Sequence, residues 1–187
     1  MARTGMSNPI IKLRSLTEAG SADYTVNAVT YWTDDQLQTV LDTYRTDVFS
    51  ETLEPVITYD GSGTANYYDY FCIPGDYEEG TAQFRVTTSL GSAVTPTINY
   101  QAGHLSFGAV NQAGTAYYLT ARRFDISAAA ADVWRRKAAH VAEAYDFSAD
   151  GQSMSRSQMK KHFSEMAQMY SGQAQPSTAR LTRDDVN

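Results

Sequence analysis

The segment Ser127–Tyr170 reads SAAAADVWRRKAAHVAEAYDFSADGQSMSRSQMKKHFSEMAQMY. Both halves carry helical periodicity, and a short polar corner joins them. In the first half Ala130, Trp134, Ala138, Val141 and Tyr145 fall on one stripe, the spacing of an apolar helix face. The many alanines favour a helix and permit close packing. Ser127 is the candidate N-cap. In the second half Met159, Phe163, Met166 and Tyr170 repeat the stripe. Ser155 and Gln158 there make a capping-box pair. The segment therefore predicts two packed helices joined as a hairpin.

The corner has a rival reading. Asp146, Ser148 and Asp150 set oxygens at positions 1, 3 and 5 of an EF-hand loop, and Gly151 stands at position 6. Position 12, where that loop needs a bidentate glutamate, is Ser157. Two carboxylates alone leave a hard dication short of charge and ligands. The four residues are expected to set the angle between the helices, with Asp and Ser oxygens capping amides and glycine supplying the turn. No metal or other cofactor is expected.

Working outward, YWTDDQLQTVLDTYR predicts another helix. Thr33 is its N-cap and Gln36 completes a capping box. Asp34 and Asp35 lie in the first turn, where the helix dipole favours them. Leu37, Val40, Leu41 and Tyr44 give it one apolar face. Residues 1–30 are mostly polar and small and read as an extended arm. Beyond Gly172, GQAQPSTARLTRDDVN has no periodicity and little apolar content, and reads as a flexible tail.

Between the helices the composition changes. EPVITYD, NYYDYFCIP, QFRVTT, PTINY, HLSFG and TAYYLTARRF are six candidate strands set between Gly, Pro and Asp, the pattern of an antiparallel meander or small barrel. The expected fold class is α+β. A helical core (31–50 and 123–171) carries an inserted antiparallel β domain of about six strands (51–122), with an N-terminal arm (1–30) and a C-terminal tail (172–187). Tyr67, Tyr68, Tyr70, Tyr77, Tyr117 and Tyr118 read either as an aromatic binding surface or as half-buried sheet residues.

Net charge is −6, which argues against a protein that grips nucleic acid. Thr33–Gly80 holds eleven acidic residues and one basic, whereas Arg122–Glu165 holds eight basic and six acidic. Asp34, Asp35 and Asp42 on one side, and Arg135, Arg136 and Lys160 on the other, are the candidate residues for facing a neighbouring subunit or a channel. One cysteine, Cys72, rules out an internal disulfide framework, and its apolar strand predicts an inert thiol. No signal peptide and no transmembrane helix are expected. His104, His140 and His162 lack a nucleophile motif or zinc spacing. The run Asp76, Glu78, Glu79 reads as solvated loop carboxylates, and an enzyme is not expected.

Taken as a unit, AAADVWRRKAAHVAEAYDFSADGQSMSRSQMKKHFSEMAQMY resembles the C-terminal helical region of head-to-tail adaptor (connector) proteins of tailed bacteriophages. The YWTDDQLQTVLDTY helix and the ARRFDISAAAADVW junction are similar to the same family, in the same order. The resemblance implies a homo-oligomeric, dodecameric ring beneath the portal protein at one capsid vertex, assembled in the bacterial cytoplasm. Such a ring carries stopper or tail proteins below and lets DNA pass without sequence-specific binding, with no membrane involved. It also implies portal docking by the C-terminal extension, here with Arg180, Leu181 and Arg183. Another neck or tail-completion part, and a tyrosine-rich β module that binds glycans or a receptor, are the alternatives.

Overall fold

The computed structural model describes residues 2–21, 23–26, 28–143 and 156–175. The architecture is α+β, with four helices and several antiparallel sheets among the described residues. The corner residues Asp146, Ser148, Asp150 and Gly151 lie outside the described residues, as do Arg180, Leu181 and Arg183.

The N-terminal arm is a correction. Ser7–Thr17 forms helix α1, which buries Pro9, Ile10, Leu13 and Thr17. Its apolar stripe is short and ends on a threonine, whose hydroxyl is satisfied by the Leu13 carbonyl at 2.7 Å. Glu18 then takes a left-handed conformation and closes the helix. Strands β1 (Tyr24–Val26) and β2 (Val29–Tyr31) follow as a hairpin. The Tyr24 and Tyr31 rings stack at 5.4 Å.

Helix α2 spans Asp34–Thr43, and its capping box forms as expected: Thr33 accepts from the Gln36 amide while the Gln36 side chain accepts from the Thr33 amide. Leu37, Val40 and Leu41 are buried. Trp32, just before the cap, is buried with φ +65, a strained conformation for a bulky residue. Arg14 holds its carbonyl at 2.9 Å, and its indole N–H donates to Tyr24 Oη at 3.1 Å.

Eight strands lie between Arg45 and Phe124, where six were expected. Strand β3 (Arg45–Thr52) and the two-residue β7 (Ala93–Val94) are the additions. The others are β4 (Glu54–Tyr59), β5 (Ala65–Phe71), β6 (Phe84–Thr88), β8 (Thr97–Asn99), β9 (His104–Ser106) and β10 (Tyr117–Phe124). The expected helical core therefore ends too late: Arg45–Ser50 belongs to a strand paired with β10, and β3 buries only Val48. The strands form two four-stranded sheets, ordered β3-β10-β6-β7 and β4-β5-β9-β8. The chain crosses from one to the other at Leu53, whose amide donates to the Tyr117 carbonyl at 2.9 Å.

Helix α3 (Ile126–Glu143) follows β10 directly, and helix α4 (Arg156–Gln173) packs along it. The α3 cap is Asp125, not Ser127: the Asp125 carboxylate accepts from the Ala128 amide at 2.9 Å, the normal N-cap to N3 geometry. Its other oxygen accepts from the Gln175 amide at 2.7 Å, fastening the end of α4 to the start of α3.

Among the described residues, two hydrophobic cores result. One joins residues from both ends of the described chain, from Met6, Leu13, Leu37 and Leu41 to Phe124, Trp134 and Tyr170. The second lies within the strands, with Val48, Leu53, Tyr70, Phe84, Leu105, Tyr117 and Leu119 drawn from both sheets. Strand β10 contributes to both, through Phe124 and through Leu119.

Candidate functional site

The polar centre of the molecule sits between the two cores. Residues 76–78 run beside the end of β10. The Glu78 amide donates to the Arg122 carbonyl at 2.8 Å, the Phe124 amide to the Asp76 carbonyl at 3.1 Å, and Tyr77 bridges Arg123. The loop therefore continues the ladder where β6 stops, and this fixes where its three carboxylates point.

All three are met by the N-terminal segment. Arg3 Nε donates to Glu78 Oε1 at 2.8 Å and Arg3 Nη2 to Oε2 at 3.1 Å. The same guanidinium reaches Asp42 on α2, from Nη1 at 2.7 Å and Nη2 at 2.6 Å. The Arg3 amide donates to Gln38 at 2.6 Å. Lys12 Nζ donates to both oxygens of Asp76, at 2.6 and 2.8 Å, and Asn8 donates to Glu79. The expectation of solvated loop carboxylates is thus corrected. The Glu78 side chain is 0% exposed, which a carboxylate tolerates only with cations and donors around it. Arg122 adds a second cation, 3.9 Å from Glu78 Oε2.

One guanidinium forked between two carboxylates is a strong, directional arrangement. The hydrogen bonds to Asp42 and then to Glu78 raise the Arg3 guanidinium above its ordinary range. In return, Arg3 holds the Asp42 carboxyl below the usual value. Backbone shape completes the clamp. The Glu79 amide donates to the Gly5 carbonyl at 3.1 Å. Gly5 has φ +95, and a Cβ there would overlap the Glu79 carbonyl oxygen, so glycine suits this position in both conformation and size.

The charged candidates are distributed unevenly. Asp42 turns into the clamp. Asp34 pairs with Arg14 at 2.7 Å, and Asp35 stands beside it, exposed, in the first turn of α2. Arg136 pairs with Asp132 one turn back on α3 at 2.8 Å. Arg135 and Lys160 come together across an open α3–α4 groove of about 710 Å³, lined otherwise by small and polar residues such as Ala138, Ser164 and Ser171. Arg135 donates to Ser171 at 3.2 Å.

A smaller cavity, about 390 Å³, lies where the β1–β2 hairpin meets α3 and α4, with Tyr24, Trp134, Lys137, His140, Met159 and Phe163 in its wall. Lys137 is nearly buried; it donates to the Thr17 carbonyl at 2.9 Å and to Asp23 at 2.7 Å, and lies 5.2 Å from the centre of the Trp134 ring. His140 Nδ1 and Tyr24 Oη are 2.6 Å apart. These contacts join the hairpin to α3.

The tyrosines do not form one surface. Tyr70, Tyr77 and Tyr117 are buried in the β core, and Tyr67, Tyr68 and Tyr118 are half-buried. Cys72 is buried, donates to the Gly103 carbonyl at 3.2 Å, and burial pushes its thiol up to about 11. Among the described residues no helix is long and apolar enough to cross a membrane. No family model, curated protein or solved structure matches the chain.

Proposed function

We propose that this chain is a head-to-tail adaptor of a tailed bacteriophage, a structural virion protein of the neck. In this reading the helices form the core into which the β domain is inserted. Copies close into a dodecameric ring that joins the portal to the stopper or tail and extends the DNA channel. The reading rests on the resemblance of the Ala129–Tyr170 phrase. The observation that supports it is the pairing of the sequence segments that carry the resemblance: α2, the β10–α3 junction, α3 and α4 all contribute to one core, while the less uniform β segment keeps a core of its own.

The parts then have assigned roles. The clamp of Arg3, Asp42 and Glu78 fixes the β domain against the helices, so that a load on one is carried by the other. A closed ring uses two different faces of each subunit. Asp34 and Asp35 mark the acidic one, and Arg135 and Lys160 the basic one. Arg180, Leu181 and Arg183 dock on the portal. An acidic lining lets DNA pass without adhesion.

Electron microscopy of tailless, portal-bearing heads, with and without the purified protein, tests the reading. Added density at one vertex with rotational symmetry is expected. Binding over the whole shell identifies a decoration protein instead, and no binding overturns the proposal. Raising the salt concentration is expected to weaken ring formation.

A further inference from the structure

The two sheets end differently, and the difference singles out one of them. Strand β3 is an edge strand, but it is blunted. It carries Arg45, Asp47 and Glu51, and it is broken at Ser50, which has φ +51 where the register against β10 shifts. Its opposite edge, β7, has only two residues. Charges, bulges and short strands are the usual means of keeping a sheet edge from recruiting another chain.

The sheet β4-β5-β9-β8 has fewer such defences. After Glu54 and Pro55, strand β4 continues as Val56-Ile57-Thr58-Tyr59, with no charge and no proline. Its irregularity lies on the β5 side, where an extra residue separates the partners of Val56 and Ile57. Ile57 is 47% exposed and Tyr59 is 71% exposed. The other edge, β8, is Thr97-Ile98-Asn99, short like β7 but uncharged, and among the described residues it pairs only with β9. An uncharged edge such as Val56–Tyr59, with exposed apolar side chains, is a pairing template.

The two edges also match in direction. β4 is antiparallel to β5, β5 to β9, and β9 to β8, so β8 runs opposite to β4. A second copy set beside the first in the same orientation therefore brings its β8 against β4 in antiparallel register, and the sheet continues from copy to copy. Two different edges meeting head to tail make a heterologous contact, the kind that closes into a ring. A two-fold dimer would instead bring β4 against β4 and end there.

We propose that the occupant of the β4 edge is a second copy of this chain, with Val56–Tyr59 of one subunit paired antiparallel to Thr97–Asn99 of the next. The inference rests on the ring reading above and names the backbone contact that sets its register. It uses neither the charged groove nor the chain termini.

Cysteine cross-linking tests it on the full chain. Thr58→Cys combined with Thr97→Cys, and Ile57→Cys combined with Thr97→Cys, sample both faces of β4, and the inert Cys72 stays in place. Under oxidation of concentrated protein, one double variant is expected to give a ladder of covalent multimers that adding Tyr59→Lys suppresses. Each single variant is expected to stay largely uncross-linked. A dimer formed by Thr58→Cys alone means a two-fold contact and overturns the head-to-tail pairing, as does the absence of a ladder in both double variants. Circular dichroism of each variant separates these outcomes from misfolding. Vertex density on heads that persists with Tyr59→Lys leaves the adaptor reading standing and removes the edge pairing. A ladder without vertex density does the reverse.

Discussion

Arg3 and Glu78 stand 75 residues apart in the chain, yet Arg3 Nε donates to Glu78 Oε1 at 2.8 Å against a carboxylate with no solvent exposure. Removing the cation leaves a buried charge whose remaining cation, among the described residues, is the more distant Arg122. Arg3→Ala is expected to lower unfolding stability by about 3 kcal/mol in urea titration. Adding Glu78→Gln to Arg3→Ala should return part of that loss, a coupling that two independent sites would not show. Arg3→Lys should fall between, because a point charge cannot fork between Glu78 and Asp42.

Asp42 links the clamp to pH. Hydrogen bonds from Arg3 hold its carboxyl below the ordinary value, so its folded-state pKa lies under the unfolded one of about 3.9. The stability it contributes is present above that value and is lost as pH falls through the lower, folded one. Asp42→Asn is expected to be less stable than the parent at neutral pH and to show a shallower loss in acid, with the two curves converging at low pH. Parallel curves measured by thermal melts would remove Asp42 from the acid response.

Gly5 is a steric test of the same joint. Gly5→Ala meets both a positive φ and the Glu79 carbonyl, and a cost of about 1–3 kcal/mol is expected. The Glu79 amide, bonded to the Gly5 carbonyl, should lose protection from hydrogen exchange before the β core does. Gly61→Ala, which meets nothing within 4 Å, is the control.

Asp125 caps α3 and also holds the Gln175 amide. Asp125→Ala is expected to cost about 1 kcal/mol, while Ser127→Ala stays near zero. Equal effects in chemical denaturation would return the cap to Ser127.

Burial raises the Cys72 thiol to about 11, so little thiolate exists at neutral pH. A thiol reagent is expected to label the folded protein only at the rate at which it unfolds. Fast labelling in native buffer would mean that the strand beside Cys72 opens locally.

Legibility in the sequence followed the range of the interactions involved. The α2 capping box spans Thr33 to Gln36 and is complete within one turn, so residue order alone reveals it. The Trp134 and Met159–Tyr170 stripes are similarly local. Helix α1 escaped because Ile10 and Leu13 make a short stripe, and its fastening comes from Arg3, Asn8 and Lys12 reaching residues 76–79. No spacing rule connects residues so far apart. Strand β3 escaped because its eight residues bury one side chain, which removes the alternation that marks a strand. The DYEE run was visible as chemistry but not as architecture, since nothing in it announces that Arg3 covers Glu78.

The first hydrophobic core draws on Met6 near one end and Tyr170 near the other, whereas the β core lies between Val48 and Ala121. On the ribosome the strands therefore have every partner for their own core well before the helices do. The first helices must wait, with Leu13 and Leu37 still short of Trp134 and Tyr170, until most of the chain has emerged. Long-range closure of this kind is slow relative to local contacts, and the exposed interval is when a nascent subunit is most open to capture by a chaperone or by another nascent copy.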